Sequence, residues 1–284
     1  MTGALAYHVV THAMEAKRGW TPTQRFAASV RHCLNGHLPY QRYYEAGLER
    51  RRDGMSEGAL ERLVEEQLLI DLNPVTQVAR NVNQPARLID GFNAYNQTVN
   101  LGVRSKAQGQ AASASQLLEQ RLQAAQQDDP ALCQQGTYFL LAHLLRQVER
   151  NAAHQAVPDV MRLSGISHWL GLEATLVHEV SLALEAAGHP LPIAELAWQL
   201  GCHQRTLERR LRKIGLTAEM LRQADRLLRA TARLRSAASL TDIAVDTGFS
   251  DHAHMTRAFK ASCGMPPSFF LQLLAPPAGA PLVR

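Results

Sequence analysis

One pattern occurs twice in this chain, and the repeat narrows what its C-terminal third can fold into. Residues 193–215 read IAELAWQLGCHQRTLERRLRKIG. The first piece forms a short amphipathic helix with Leu196, Ala197 and Leu200 turned inward. Gly201 then permits the left-handed backbone that a tight turn between two helices requires. A second helix starts near Gln204 and buries Leu207, Leu211 and Ile214. Residues 240–264 read LTDIAVDTGFSDHAHMTRAFKASCG. Here Ile243-Ala244 and Gly248 follow Leu196-Ala197 and Gly201 by 47 residues. Met255, Arg257 and Phe259 follow Leu207, Arg209 and Leu211 by 48, so the second turn is one residue longer. A repeated helix-glycine-helix plan is far more specific than a single unit.

Each unit has an inward apolar seam and long polar side chains on the opposite face, the helix-turn-helix layout that presents a helix to a DNA major groove. Between them, Thr217 to Ser236 holds neither glycine nor proline and reads as one helix. About 19 helical residues span roughly 28 Å. Successive major grooves on one face of DNA lie about 34 Å apart, so the spacer is of the right order to hold two readers in register.

The net charge of +5 is unevenly placed. From His203 to Arg235 ten Lys or Arg (Arg205, Arg209, Arg210, Arg212, Lys213, Arg222, Arg226, Arg229, Arg233, Arg235) oppose Glu208, Glu219 and Asp225, which gives that segment +7 and leaves −2 elsewhere. One basic stretch on a balanced chain is the footprint expected of a phosphate binder. Charge alone fits a solvated helix face equally well. The motifs decide.

Those motifs resemble the DNA-binding domain of the AraC/XylS family of bacterial regulators. The resemblance covers roughly Glu173 to Phe270 and rests on ELAWQLG, TLERRL, a linker helix with Arg226 and Ala230 in the family's spacing from Gly215, DIAVDTGFSD, TRAFK and GMPPSFF. It implies a sequence-specific transcription regulator, with double-stranded promoter DNA and RNA polymerase as partners. Carried over position by position, the first reader uses Gln204, Arg205, Glu208, Arg209 and Arg212. The second uses Asp251, His252, Ala253, Thr256, Arg257 and Lys260. Arginine suits guanine and phosphate, glutamate accepts from cytosine, and glutamine pairs with adenine. The second set has fewer long donors, which suits backbone positioning more than base reading. Three departures stand out: His203 where the family has a capping serine, Met255 for a larger apolar residue, and Leu271 for a closing arginine.

The fold class expected is mainly all-α: a helical sensor or dimerisation domain over 1–165, the double helix-turn-helix domain over 172–271, and a flexible tail over 272–284. Thr21-Pro22 starts a helix that Asn35-Gly36 stops, a second covers Tyr40 to Arg52, and a third runs from Ser56 to Asn73-Pro74. Asn81 to Val103 is ambiguous, Ser105 to Ser115 is linker-like, and helical pattern resumes over Leu117–Gln127 and Cys133–Asn151. Ser167 is a candidate cap for a helix from His168 to Ala187, ended by Gly188-His189-Pro190. The family's usual sensor is β-rich, yet period-two runs are missing here, so the resemblance stops before residue 165.

Four scattered cysteines, Cys33, Cys133, Cys202 and Cys263, argue against a zinc ribbon or disulfide framework. The first 20 residues lack a signal-peptide layout, and no apolar run reaches the roughly 20 residues of a membrane span, so a cytoplasmic protein with no membrane partner is expected. His8 and His12 share a helix face without a third ligand or an intervening glutamate, and His32, Cys33 and His37 straddle a helix stop. No catalytic constellation, metal site or cofactor fingerprint is expected. Tyr40, Tyr43 and Tyr44 either line a pocket or pack their helix. The N-terminal region is open to a small-molecule effector, to a homodimer partner, or to control by a partner protein. A closed apolar pocket would favour the first, and an exposed apolar patch the last.

Overall fold

A computed structural model describes residues 4–15, 19–107, 120–123, 131–154, 160–236 and 238–274. The N-terminal half runs β1 (Leu5–Tyr7), α1 (His8–Glu15), α2 (Pro22–Leu34), β2 (His37–Pro39), α3 (Tyr40–Arg52), α4 (Glu57–Ile70), α5 (Pro74–Asn81), α6 (Pro85–Thr98), β3 (Val103–Lys106), β4 (Gln120–Gln123) and α7 (Ala131–His154). The C-terminal half is α8 (Leu163–Trp169), α9 (Leu176–Ala187), α10 (Ile193–Gln199), α11 (Gln204–Arg212), α12 (Ala218–Arg233), α13 (Leu240–Asp246), α14 (His252–Cys263) and α15 (Pro267–Leu274). The fold is mainly α-helical, and its strands form two antiparallel ribbons, β1 with β2 and β3 with β4, in registers Tyr7↔His37 and Val103↔Gln123. Among the described residues no helix is long and apolar enough to cross a membrane.

Local chemistry explains the helix starts. Thr21 and Gln24 form a reciprocal capping box with Pro22 in the first turn, and Ser56 accepts from the Ala59 amide. Asn73 accepts from the Val75 amide ahead of Pro74. Each cap satisfies an amide that the first turn leaves unbonded. The ambiguous stretch from Asn81 resolves into α6, whose first turn carries Pro85. Two expectations fail. Residues 120–123, inside the expected helix over 117–127, pair as β4, because β3 offers them a strand edge. Ser167 does not cap a helix: it lies inside α8, and its hydroxyl donates to the Ser164 carbonyl. Gly171, at φ +69°, breaks the expected single helix, and the next begins only at Leu176. The expected tail begins at 272, yet α15 continues to Leu274; residues 275–284 lie outside the described residues, as do 108–115 of the expected linker.

Two cores result. The first joins α1, α3, α4 and α7 through Val10, Met14, Leu60, Val64, Leu68, Leu141 and Val148. The second begins in the N-terminal half, at Phe26, Val30 and Cys33 of α2 and Val78 of α5. It continues through Leu221 and Leu228 of α12 into Phe259 of α14 and Phe270 of α15. Helices from the N-terminal and C-terminal halves thus share one apolar interior. Phe259 is fully buried there, and truncating such a ring to alanine costs about 3–5 kcal/mol.

Candidate DNA-binding interface

The first unit is α10, a turn at Gly201 (φ +64°) and α11. Leu196, Ala197, Leu207 and Leu211 form its buried seam. That seam fixes which face of α11 points outward: Gln204, Arg205, Arg209, Arg210 and Arg212 are exposed, and Lys213 follows them. None of these five cations meets a carboxylate or any other hydrogen-bond partner among the described residues. Glu208 is half-buried, and its Oε2 is shut off from solvent without a hydrogen-bond partner. His203 precedes α11 with no side-chain hydrogen bond to the first turn, so this helix starts without a cap.

The linker helix carries its charge differently. Arg222 pairs with Glu219 at 2.9 Å, and Arg233 with Asp246 at 2.5 Å. Arg226 sits over the Phe249 ring at 5.4 Å. Arg229 donates to Asp225 at 2.5 Å and to the Leu184 carbonyl at 2.6 Å, tying α12 to α9. Burial pushes the Asp225 carboxyl above the ordinary range, and the Arg229 guanidinium pulls it back. Arg235 donates to Asn81 at 3.1 Å. Arg222, Arg229, Arg233 and Arg235 are bonded to the protein's own groups, whereas among the described residues Arg226 has only the ring contact, and its Nε, like that of Arg222, is buried without a hydrogen-bond partner. At 16 residues, α12 also spans about 24 Å, shorter than expected.

The second unit is α13, a turn at Gly248 (φ +85°) and α14. A Cβ on Gly248 would lie 1.8 Å from Pro190 Cγ, so only glycine lets the turn close against that proline. Both helices are capped: Ser239 and Asp242 form a capping box on α13, and Asp251 accepts from the His254 amide at 2.6 Å on α14. That bond holds the Asp251 carboxyl below its ordinary pKa. Asp251, His252, Ala253, Arg257 and Lys260 are exposed, and Thr256 is half-buried beside His252 at 3.3 Å. Arg257 and Lys260 form no ion pair among the described residues. Asp251 is committed to capping.

Behind α14 is a buried polar seam that the sequence did not announce. The Asn73 side chain, from the start of α5, donates to the His32 carbonyl at 2.8 Å and the Ser262 carbonyl at 3.2 Å. Ser262 in turn donates to the Cys33 carbonyl at 2.6 Å. The Gly36 amide donates to the Ser262 carbonyl at 2.7 Å, and a Cβ on Gly36 would lie 2.4 Å from Asn73 Nδ2. Three peptide segments, 32–36, Asn73 and Ser262, meet here too closely for a side chain on Gly36. The one available signal was Ser262, a polar residue at an inward position of α14.

The other histidines do not form a site with the readers. His8, His12 and His32 pack together in the N-terminal half, with His8 and His32 stacked at 4.4 Å and His12 against His32 at 4.2 Å. His8 bonds Asp71 at 3.0 Å and the Gly36 carbonyl at 2.9 Å, whereas His12 has no partner for either ring nitrogen. Burial, then the neighbouring His8, push His12 down to about 3 and His32 to about 2. His37 instead meets the Tyr95 hydroxyl at 2.6 Å, so His32, Cys33 and His37 part ways as expected. The described residues hold no cluster of three groups that could bind a metal.

The repeated units, their turns and the exposed basic face can now be set beside known proteins. Residues 196–272 match the model of a family described as a helix-turn-helix domain. This segment is an AraC-type helix-turn-helix domain. No curated protein and no solved structure matches the chain. The AraC-type match begins at Leu196 of α10 and ends at Gln272 of α15, so it spans both units and the linker helix. It makes DNA the partner of this domain and transcription regulation its business. Residues 1–165 lie outside it.

Proposed function

We propose that this protein is a sequence-specific transcription regulator of the AraC/XylS type that grips two successive major grooves unequally. The first reader is α11, with Gln204, Arg205, Glu208, Arg209 and Arg212 at bases and phosphates, and Arg210 and Lys213 adding phosphate contacts. The second is α14, where His252, Ala253, Thr256, Arg257 and Lys260 position the domain and Asp251 holds the helix start. The observation that carries this reading is the division of cations. Those of α11 are exposed and unpaired, while Arg222, Arg229 and Arg233 of α12 are ion-paired within the fold.

The division gives a number. Affinity falls with salt at a log–log slope of about −0.9 per phosphate neutralised. Arg205, Arg209, Arg210, Arg212, Lys213, Arg257 and Lys260 together imply a slope of about −6. Adding the five linker arginines would bring it to about −11. A salt series on a site recovered by selection from random DNA tests this. A slope near −11 would return the linker helix to the interface, and a flat response would end the reading.

The N-terminal half modulates this grip by taking up a small molecule. Supporting that choice over a docked partner protein is an apolar cavity walled mostly by its helices, whereas among the described residues its strongly exposed large apolar side chains come down to Leu69. Tyr40 and Tyr43 line the cavity, and Tyr44 packs against Tyr40 at 6.3 Å. A homodimer and a contact with RNA polymerase complete the proposal as partners that the AraC-type domain calls for.

A further inference from the structure

The cavity has a volume of about 120 Å³. Its walls come from β1, α1, α3, α5, α6, β3 and α7 on one side and from α15, the last helix of the DNA-binding half, on the other. That helix contributes Phe269, Phe270 and Leu273. No Lys, Arg, His, Asp or Glu lines the cavity. Its polar walls are already engaged: the Tyr7 hydroxyl with Asp71 and Thr76, the Asn96 side chain with the Phe92 carbonyl and the Ser105 amide, the Thr137 hydroxyl with the Cys133 carbonyl. A charged ligand would lose its hydration and find nothing to replace it. Apolar cavities of about 150 Å³ stay dry and accept benzene, so the size suits roughly one ring.

The α15 wall leads to the DNA. Phe269 packs on Phe270 at 5.2 Å between ring centroids, and Phe270 packs on Phe259 of α14 at 5.9 Å. Gly91 of α6 lets Leu273 close in, since a Cβ there would stand 2.8 Å from Leu273 Cδ2. Arg87 reaches the Gln272 and Leu273 carbonyls at 3.4 and 3.5 Å. We propose that the cavity binds a small uncharged apolar molecule of about one ring, whose occupancy holds α15 against the N-terminal helices and so fixes the second reader. The proposal rests on the DNA-binding reading above. A ligand that touches both sides binds the docked arrangement better than any arrangement with α15 withdrawn, and it shifts the population by that difference. The docked arrangement leaves Arg257 and Lys260 exposed, so occupancy favours binding to two grooves.

The test uses the full chain with toluene as probe and benzoate as its charged counterpart. Toluene is expected to raise the thermal midpoint and to tighten binding to a two-groove DNA fragment by about fivefold or more, leaving a one-groove fragment unaffected. Benzoate is expected to do neither. Ala79→Leu fills the space from α5 and is expected to abolish both toluene effects while probe-free DNA binding persists. Val103→Phe fills it from β3 and serves should the first variant fail to fold. No midpoint shift with toluene, an equal shift with benzoate, or a shift that survives filling would each overturn the site. A shift that filling removes, with two-groove affinity unchanged, would overturn the coupling through α15. Absence of specific DNA binding without any probe would instead sink the reading on which the proposal rests.

Discussion

The two helix-turn-helix units follow one sequence plan, yet they are held in opposite ways. The first has uncapped helices, since Pro192 and His203 supply no side-chain bond. It packs chiefly on α9 and α12, and among the described residues its link to the N-terminal half is a single exposed hydrogen bond from Arg31 to the Gly215 carbonyl at 3.2 Å. Its outward face carries free arginines. The second has both helices capped, packs on α2 and α5 of the N-terminal half, and closes a buried seam through Ser262. Its outward face carries two free cations, Arg257 and Lys260. On the proposed function, the contrast separates two tasks within one domain: the first unit would supply affinity, and the second would be placed where the N-terminal half puts it.

Disabling the first reader breaks the comparison hardest. Arg205→Ala and Arg209→Ala should each cost about 1–3 kcal/mol on the selected site, and Glu208→Ala should relax preference at one base pair. Arg257→Ala should cost less and weaken all sequences alike. Equal losses from Arg209→Ala and Arg257→Ala in a titration against one fragment would erase the asymmetry.

Next in size is Arg229→Ala. Its guanidinium binds Asp225 and the Leu184 carbonyl within the fold, so removal leaves a buried carboxylate and a carbonyl unpaired. Stability should drop by about 1.5–3 kcal/mol in a denaturant titration, with the affinity of the folded fraction unchanged. A pure loss of DNA affinity at unchanged stability would place Arg229 at the phosphates instead.

Smaller effects sharpen the contrast in capping. His203→Ser gives α11 the cap that α14 already has and should stabilise by about 1 kcal/mol. The Asp251 cap works through its ionised form. Because the folded carboxyl has a depressed pKa, its contribution is present above the ordinary Asp range of about 3.9 and is lost as pH falls through the lower folded value. Asp251→Ala should therefore lower the thermal midpoint at pH 7 and narrow its gap to wild type towards acid. A gap independent of pH would mean that the cap contributes nothing through its charge.

How much of this was legible in the sequence follows from the range of the forces involved. The units, their glycine turns and the reader faces were readable because period and glycine placement are local. The starts at Thr21 and Ser56 were readable for the same reason, whereas Asn73-Pro74, read as a helix stop, proves also to start α5. What the linker cations do was not readable, because charge says where cations are along the chain and nothing of their partners. Arg229 finds Leu184 and Arg235 finds Asn81, 45 and 154 residues away. The contact between the two halves was not legible: Asn73 reads as a helix stop, yet it caps α5 and its amide also reaches Ser262, 189 residues on. The strand at 120–123 depended on a partner edge that no local pattern could report.

The central claim is that the N-terminal half, and not the linker helix alone, places the second reader. The most direct measurement is a footprint of the full chain on a two-groove site, comparing wild type with the Asn73→Ser/Ser262→Ala double variant. Serine at 73 keeps the cap on α5 and removes the two donors to the seam. The account predicts that protection persists over the groove read by α11 and disappears over the groove read by α14, with the salt slope falling by about two at most. Undiminished protection of both grooves at wild-type concentrations, in a variant shown to be folded, would mean that the linker helix suffices and would contradict the account.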